Sequence, residues 1–225
     1  AKSITTTYRS RPMGFKWPAN WEEKPLLQRV DNRTAYFKDG TSKEIDAIIL
    51  CTGYIHHFPF LPDSLRLKTE NRMWPLNLYR GVVWEPNPQM HYIGMQDQFY
   101  TFNMFDAQAW FSRDVILGRI KLPGLSEMQA NSAQWRAKEE KIENAEHAIW
   151  FQGDYVKDLI DLTDYPSFDV ETVNKTFMEW EHHKMENIMG FRDNAYRSIM
   201  TGKMSPVHHT PWLKAIIGRA SCRER

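Results

Sequence analysis

The chain has 225 residues, 42% hydrophobic and 25% charged, with 29 basic against 28 acidic side chains and a formal net charge of +1. That size suits one sizeable core, and the balanced charge argues against a nucleic-acid or membrane partner. No apolar run approaches the ~20 residues a membrane-spanning helix needs. Two cysteines, Cys51 and Cys222, give neither a disulfide framework nor a metal-ligand spacing, which suits a reducing, cytoplasmic setting.

The opening AKSITTTYRS lacks Met and reads as a strand already under way. Ser3 to Tyr8 is rich in β-branched strand formers and stops at Arg9. SRPMGFKWPANW, broken by Pro12, Gly14 and Pro18, reads as loop. LLQRVD and TAYFKDGTSKEIDAIIL read as further strands, with Asp39-Gly40 as a hairpin turn. Ile45 to Leu50 is a near-continuous apolar run, the pattern of a strand buried on both faces, and it stops at Thr52-Gly53.

After the Pro-rich HHFPFLPD, LYRGVVWEPNPQMHYIGM reads as strand, turn, strand. Tyr92 to Met95 is its short last strand, leading into the polar loop QDQFYT. From about Asn103, Met104, Phe105, Ala107, Trp110, Phe111, Val115 and Ile116 recur at helical spacing, with Gly118 as a stop. Ser126 with Gln129 has capping-box spacing for a helix starting near Glu127. That helix is charged and amphipathic, so Glu139 and Glu140 are expected to be solvated. A second helix is read over 155–162, and a third from near Asp169 through FMEWEHHKMENIMGF. The order, β-rich first and α-rich last, fits an α/β protein whose front half lies elsewhere.

Ile217 to Arg225, IGRASCRER, is the in-frame translation of the sequencing-adapter DNA ATCGGAAGAGCGTCGTGTAGGGAAAGA, and is expected to be non-native. The pairs His56-His57, His182-His183 and His208-His209 lack zinc-site spacing, so no metal is expected.

IDAIILCTGY, Ile45 to Tyr54, resembles the A-T-G-Y segment of flavin-containing and Baeyer–Villiger monooxygenases. Its glycine lets the backbone turn and approach a ligand with no Cβ in the way. Taken alone, the string is equally a buried strand ending in a glycine turn. CTGYIHHFPFLPD, GMQDQFYTFNMFDAQAW, DYPSFDV and MSPVHHTPWL extend the match over Lys2 to Leu213. Together they resemble the bacterial trimethylamine monooxygenase branch of the flavin-containing monooxygenases.

The resemblance implies a partial flavoprotein with two dinucleotide-binding domains: a Rossmann-like FAD domain with an NADPH domain inserted in it. Residues 1–54 would end the NADPH domain, 55–76 would cross over, 77–216 would complete the FAD domain as its C-terminal part, and 217–225 would be the adapter-derived tail. It also implies FAD and NADPH as cofactors, and O2 and a small amine or sulfide as substrates. Oxygen transfer would go through a flavin C4a-hydroperoxide, and the full-length protein would be a cytoplasmic homodimer. The catalytic asparagine and both glycine-rich loops are expected upstream of Ala1, so no catalytic residue is assigned.

Site residues follow from the same resemblance. Arg9, at a strand end, would fork onto the 2′-phosphate of NADPH. Thr52 and Gly53 form the turn beside the cofactors, and Met73 and Trp74 the segment that leaves the NADPH domain. Gln98 and Thr101 would touch FAD at a helix entrance, though Thr101 could simply cap that helix. Trp180 would line the substrate side of the flavin, or else be a core residue of its helix. Phe99 stands where the family commonly has tryptophan, which removes an indole N–H. Other readings are an N-hydroxylase or Baeyer–Villiger enzyme, or an inactive fragment serving as an interaction domain. Without the front half, Ile45 to Leu50 and Tyr92 to Met95 should stand exposed. In a full-length protein, Arg9→Ala should raise the KM for NADPH on the order of tenfold, the worth of one charge-assisted contact, with little change in kcat. Steady-state kinetics at varied NADPH checks this.

Overall fold

The computed structural model describes residues 1–53, 55–67 and 72–205. Tyr54, His208-His209, the end of the MSPVHHTPWL string and the Ile217 to Arg225 tail lie outside the described residues. The chain divides into two compact units: residues 1–51 together with the segment from Glu179 onward, and residues 52–178.

In the first unit, β1 (Ile4–Tyr8) pairs in parallel with β2 (Trp21–Pro25), placing Ile4 opposite Trp21. The sequence pattern places Trp21, the start of β2, at the end of a loop broken by Pro12, Gly14 and Pro18. Lys43 secures this pair from outside it, its ammonium reaching Thr5 Oγ1 at 3.0 Å and Glu22 Oε1 at 2.5 Å. An antiparallel sheet follows, of β3 (Leu27–Asp31), β4 (Thr34–Phe37) and β5 (Ser42–Glu44). Its second turn is the expected one. Gly40 sits at φ +80°, and Asp39 Oδ1 accepts from Thr41 N–H at 3.0 Å and Thr41 Oγ1 at 2.6 Å.

The strand expected at Ile45 to Leu50 does not form, although the run is largely exposed, as expected of it without the front half. β5 ends at Glu44, and Ile49 and Leu50 are 86% and 79% exposed. A strand needs ladder partners and covering layers, and no strand among the described residues pairs with this run.

In the second unit, β6 (Leu78–Tyr79) and β7 (Val83–Trp84) form an antiparallel hairpin. Tyr92 to Met95 is not a strand; its neighbour His91 makes a single bridge to Val83. Tyr92 is buried and Ile93 is exposed, so the exposure expected of this segment is only partial.

Four helices follow among the described residues: α1 (Thr101–Ile116), α2 (Leu125–Glu139), α3 (Ala145–Ile160) and α4 (Val170–Glu186). α1 stops at Gly118, φ +70°. Gly118 N–H binds Val115 O and Arg119 N–H binds Asp114 O, a Schellman closure.

The capping box at Ser126 is not made. Extended Gly124 is the N-cap of α2, no side chain caps it, and Ser126 falls inside the first turn. α3 begins well before residue 155, capped by Asn144, whose Oδ1 accepts from His147 N–H at 2.9 Å. Glu146 and Gly153 dilute its apolar pattern, yet Ala148, Ile149, Gln152, Tyr155, Val156 and Leu159 share its buried face. Asp169 caps α4 through Thr172, and α4 spans the division between the units.

The core of the second unit centres on Trp74, fully buried and stacked on Trp135 at 4.9 Å and 8°, with Tyr155 edge-on at 5.3 Å. Glu139 is not solvated as expected. Its side chain is 11% exposed, paired with Arg72, and accepts Trp74 N–H at 3.0 Å. Glu140 is exposed.

Gly153 lies inside α3, where helix propensity disfavours glycine by up to ~1 kcal/mol against alanine. A Cβ there would meet Asn174 at 2.5 Å. Gly153→Ala should therefore destabilise the chain by about 1–3 kcal/mol; urea unfolding checks this, and Asn174→Ala should relieve part of the loss. His91, beside buried Ser112, has its pKa lowered by burial, partly offset by the Pro88 backbone. Its folded value lies below its unfolded one, so its contribution is complete above the ordinary histidine range and fades as pH falls through and below it. Urea midpoints from pH 7.5 to 5 should fall less steeply for His91→Asn.

Candidate active site

The polar loop from Gly94 to Tyr100 leads into α1, and its conformation is set by buried side chains rather than by its own sequence. Gln108, fully buried on α1, reaches back so that its Oε1 accepts Gly94 N–H at 2.8 Å. Its amide nitrogen donates to Gln96 Oε1 and to Tyr155 Oη, each at 2.8 Å. Gln96 in turn donates to Gly81 O at 3.1 Å and to Tyr155 Oη at 3.3 Å. Tyr155 donates to Arg80 O at 2.9 Å. Gly81 sits at φ +66°, and a Cβ on it would meet Gln96 at 2.3 Å and Tyr155 at 2.6 Å. Only glycine therefore lets the hairpin turn close onto this network.

The last part of the loop is held from α3. Gln152, fully buried, accepts Phe99 N–H at 2.6 Å and Tyr100 N–H at 3.4 Å through Oε1, and its amide nitrogen donates to Asp97 O. Asp97 N–H donates to Arg72 O at 2.9 Å, which joins the loop to the segment carrying Met73 and Trp74. Tyr100, the N-cap residue of α1, gives its hydroxyl to Asn174 Oδ1 at 2.6 Å and Val170 O at 3.1 Å. Burial, with Asp154 and Asp169 nearby, raises the pKa of Tyr100, and burial raises that of Tyr155, so both stay neutral donors.

The α1 entrance is consequently open. The Tyr100 side chain does not cap it, and the first backbone bond of the helix is Met104 N–H to Tyr100 O at 2.9 Å. The amides of Thr101, Phe102 and Asn103 have no intrahelical partner. They point with the positive end of the helix dipole, which favours negative charge. Gln98 is exposed just before them and Thr101 is half-exposed. Thr101 does not cap the helix: it is the first helical residue.

The structure brings Met73, Gln98, Phe99 and Thr101 into one neighbourhood through the Arg72–Asp97 bond and the Gln152 clamp. Trp74 belongs to this backbone, but its ring lies wholly within the core, between Trp135 and Tyr155. The ring has no face left for a stacking contact with a cofactor. Phe99 is half-buried, edge-on to Phe177 at 6.1 Å. Thr52 and Gly53 are exposed, with Gly53 at φ +78° and nothing within 4 Å of where a Cβ would stand on it. Among the described residues, no hydrogen bond or ring contact joins them to Gln98 or Thr101.

Arg9 and Trp180 lie in the other unit. Arg9 is exposed just beyond β1. Trp180 packs edge-on against Phe191 at 5.1 Å, with the Lys184 ammonium 4.9 Å from its ring centre. His182 and His183 face different partners, Glu186 and Tyr196. Among the described residues, no group of three or more His, Cys, Asp or Glu side chains is arranged to hold a metal, and no helix is long and apolar enough to cross a membrane.

Sequence reasoning missed Gln96, Gln108, Gln152 and Asn174. A signal for two of them was present: Gln108 and Gln152 occupy apolar faces of their helices, where a polar side chain needs a buried partner.

The family profile described as "Flavin-binding monooxygenase-like" matches residues 21–190. The chain belongs to the flavin-binding monooxygenase-like family. Within it, the chain is 60% identical over 215 residues to a trimethylamine monooxygenase of Roseovarius sp. strain 217, covering 96% of this chain and 48% of that protein. The crystal structure of Tmm from Pelagibacter sp. strain HTCC7211 superposes with a TM-score of 0.89 at 53% identity, over 96% of this chain and 49% of that one. S-allyl-L-cysteine S-oxygenase from Allium sativum gives a TM-score of 0.66 at 22% identity, over 86% of this chain and 46% of that one, which shows the shared fold alone. The chain thus spans about half the length of the relatives it matches. The expected fold class, a partial two-domain flavoprotein, agrees with these superpositions.

Proposed function

We propose that this chain is the C-terminal part of an NADPH- and FAD-dependent monooxygenase that N-oxygenates trimethylamine and related small amines or sulfides. The observation that carries the reading is the uncapped entrance of α1, with Gln98 exposed beside it, in a chain of the flavin-binding monooxygenase-like family. A reduced flavin is an anion spread over a planar ring edge, and free helix amides suit it. The residues present therefore fit the cofactor.

When bound, FAD would supply the redox chemistry, accepting hydride from NADPH and activating O2. The chain's own residues bind, orient and shield. Thr101 and the first-turn amides of α1 stabilise negative charge on the ring, and the Gln98 amide adds a polar contact. Gly53 lets backbone approach without a Cβ, Thr52 stands beside it, and Met73 borders the same cofactor. Arg9 selects NADPH through its 2′-phosphate. By the family resemblance Phe99 and Trp180 are each assigned to the substrate side, where an apolar side chain would keep water from the reacting nitrogen. No proton transfer by a residue of this chain is required.

With about half the length of its relatives, the chain alone is proposed to be inactive, each cofactor site being completed by residues outside it. At full length the reading takes the protein to be a cytoplasmic homodimer. A full-length protein should be yellow and should consume NADPH in a trimethylamine-dependent manner. Gln98→Ala and Thr101→Ala should each weaken FAD binding on the order of tenfold, as loss of one buried hydrogen bond does. Flavin titration of the apoprotein measures this, and a full-length protein that neither binds FAD nor oxidises NADPH overturns the reading.

A further inference from the structure

We propose that Gln152 is a positioning residue for the flavin contact, acting through the backbone on both sides of Gln98. The proposal rests on the functional reading above. Gln152 is fully buried, and its amide is spent on Asp97 O, Phe99 N–H and Tyr100 N–H. These are backbone groups of the residue before Gln98 and of the two after it. An ordinary helix entrance is fixed by a local Ser, Thr, Asp or Asn whose oxygen takes a first-turn amide. Here the N-cap residue is Tyr100, and its hydroxyl is committed to Asn174 and Val170. The clamp comes instead from a different helix and holds the loop one step earlier. The loop is fixed while the Thr101, Phe102 and Asn103 amides stay open to a ligand. A core position filled for packing alone would favour Leu or Met, because a buried polar group left without a partner is destabilising.

The test uses the full-length protein with Gln152→Met, Gln98→Ala and the double variant. Gln152→Met removes all three bonds at nearly constant volume. It should weaken FAD binding to the apoprotein roughly tenfold, the worth of the bonds that hold the loop. In the Gln98→Ala background the further loss should shrink to less than about threefold, because both changes act on one contact. FAD affinity equal to wild type in Gln152→Met, or losses that multiply fully in the double variant, overturns the proposal. Should wild type itself bind no FAD, the functional reading has failed instead.

If Gln152→Met does not fold, Gln152→Glu decides. The introduced carboxylate keeps an acceptor for Phe99 N–H but repels Asp97 O until it is protonated. FAD affinity relative to wild type should therefore recover as pH falls through the titration of that carboxyl, and a ratio that stays flat with pH overturns the proposal.

Discussion

Three glutamine side chains and one tyrosine hydroxyl, all buried, hold the second unit's hairpin, loop and helices in register. Gln108, Gln96 and Tyr155 tie the turn at Arg80-Gly81 to the start of the loop, and Gln152 ties its end to α3. Each side-chain nitrogen and oxygen in this set has a hydrogen-bond partner, which lets a buried polar network rigidify instead of destabilise. Tyr155 is central to it: one hydroxyl accepts from two amides and donates to a carbonyl, so losing it would strand three groups at once.

The aromatic core beneath this network has a different task. Trp74 and Trp135 stack face to face, with Tyr155 and Phe151 against the edges of Trp135. Glu139 closes one side by taking the Trp74 backbone amide and pairing with Arg72. The Arg72 carbonyl also accepts the Asp97 N–H. The charged pair, the indole stack and the loop entrance are thus linked through one short segment, Arg72 to Trp74. This explains why Trp74 is structural even though Arg72, two residues before it, is tied to the loop.

Much of the fold is legible wherever a local rule governs. The Asp39-Gly40 turn, strand β1, the span of α1 and its stop at Gly118 all follow from propensity and glycine geometry. Errors arise where a tertiary partner decides. Ile45 to Leu50 has the composition of a buried strand but, among the described residues, lacks the pairing that would make it one. Ser126 has capping-box spacing, but Pro123-Gly124 starts the helix two residues sooner. Glu139 looks solvated by composition and is buried by its pairing with Arg72. The site residues are named by resemblance to a family. The glutamines that shape their loop can be found only by asking what a polar residue does on an apolar helix face.

Gln152 and Gly153 are adjacent in α3 and serve opposite needs. One extends an amide toward the loop, while the other withdraws all side-chain bulk so that Asn174 can sit against the helix backbone. The glycine costs helix propensity and the glutamine costs desolvation, so together they form a weak spot that only packing justifies. A larger residue at 153 would force α3 and α4 apart and strain the reach of the neighbouring amide. The dipeptide therefore acts as a single structural unit, and a change at either position is felt through the other.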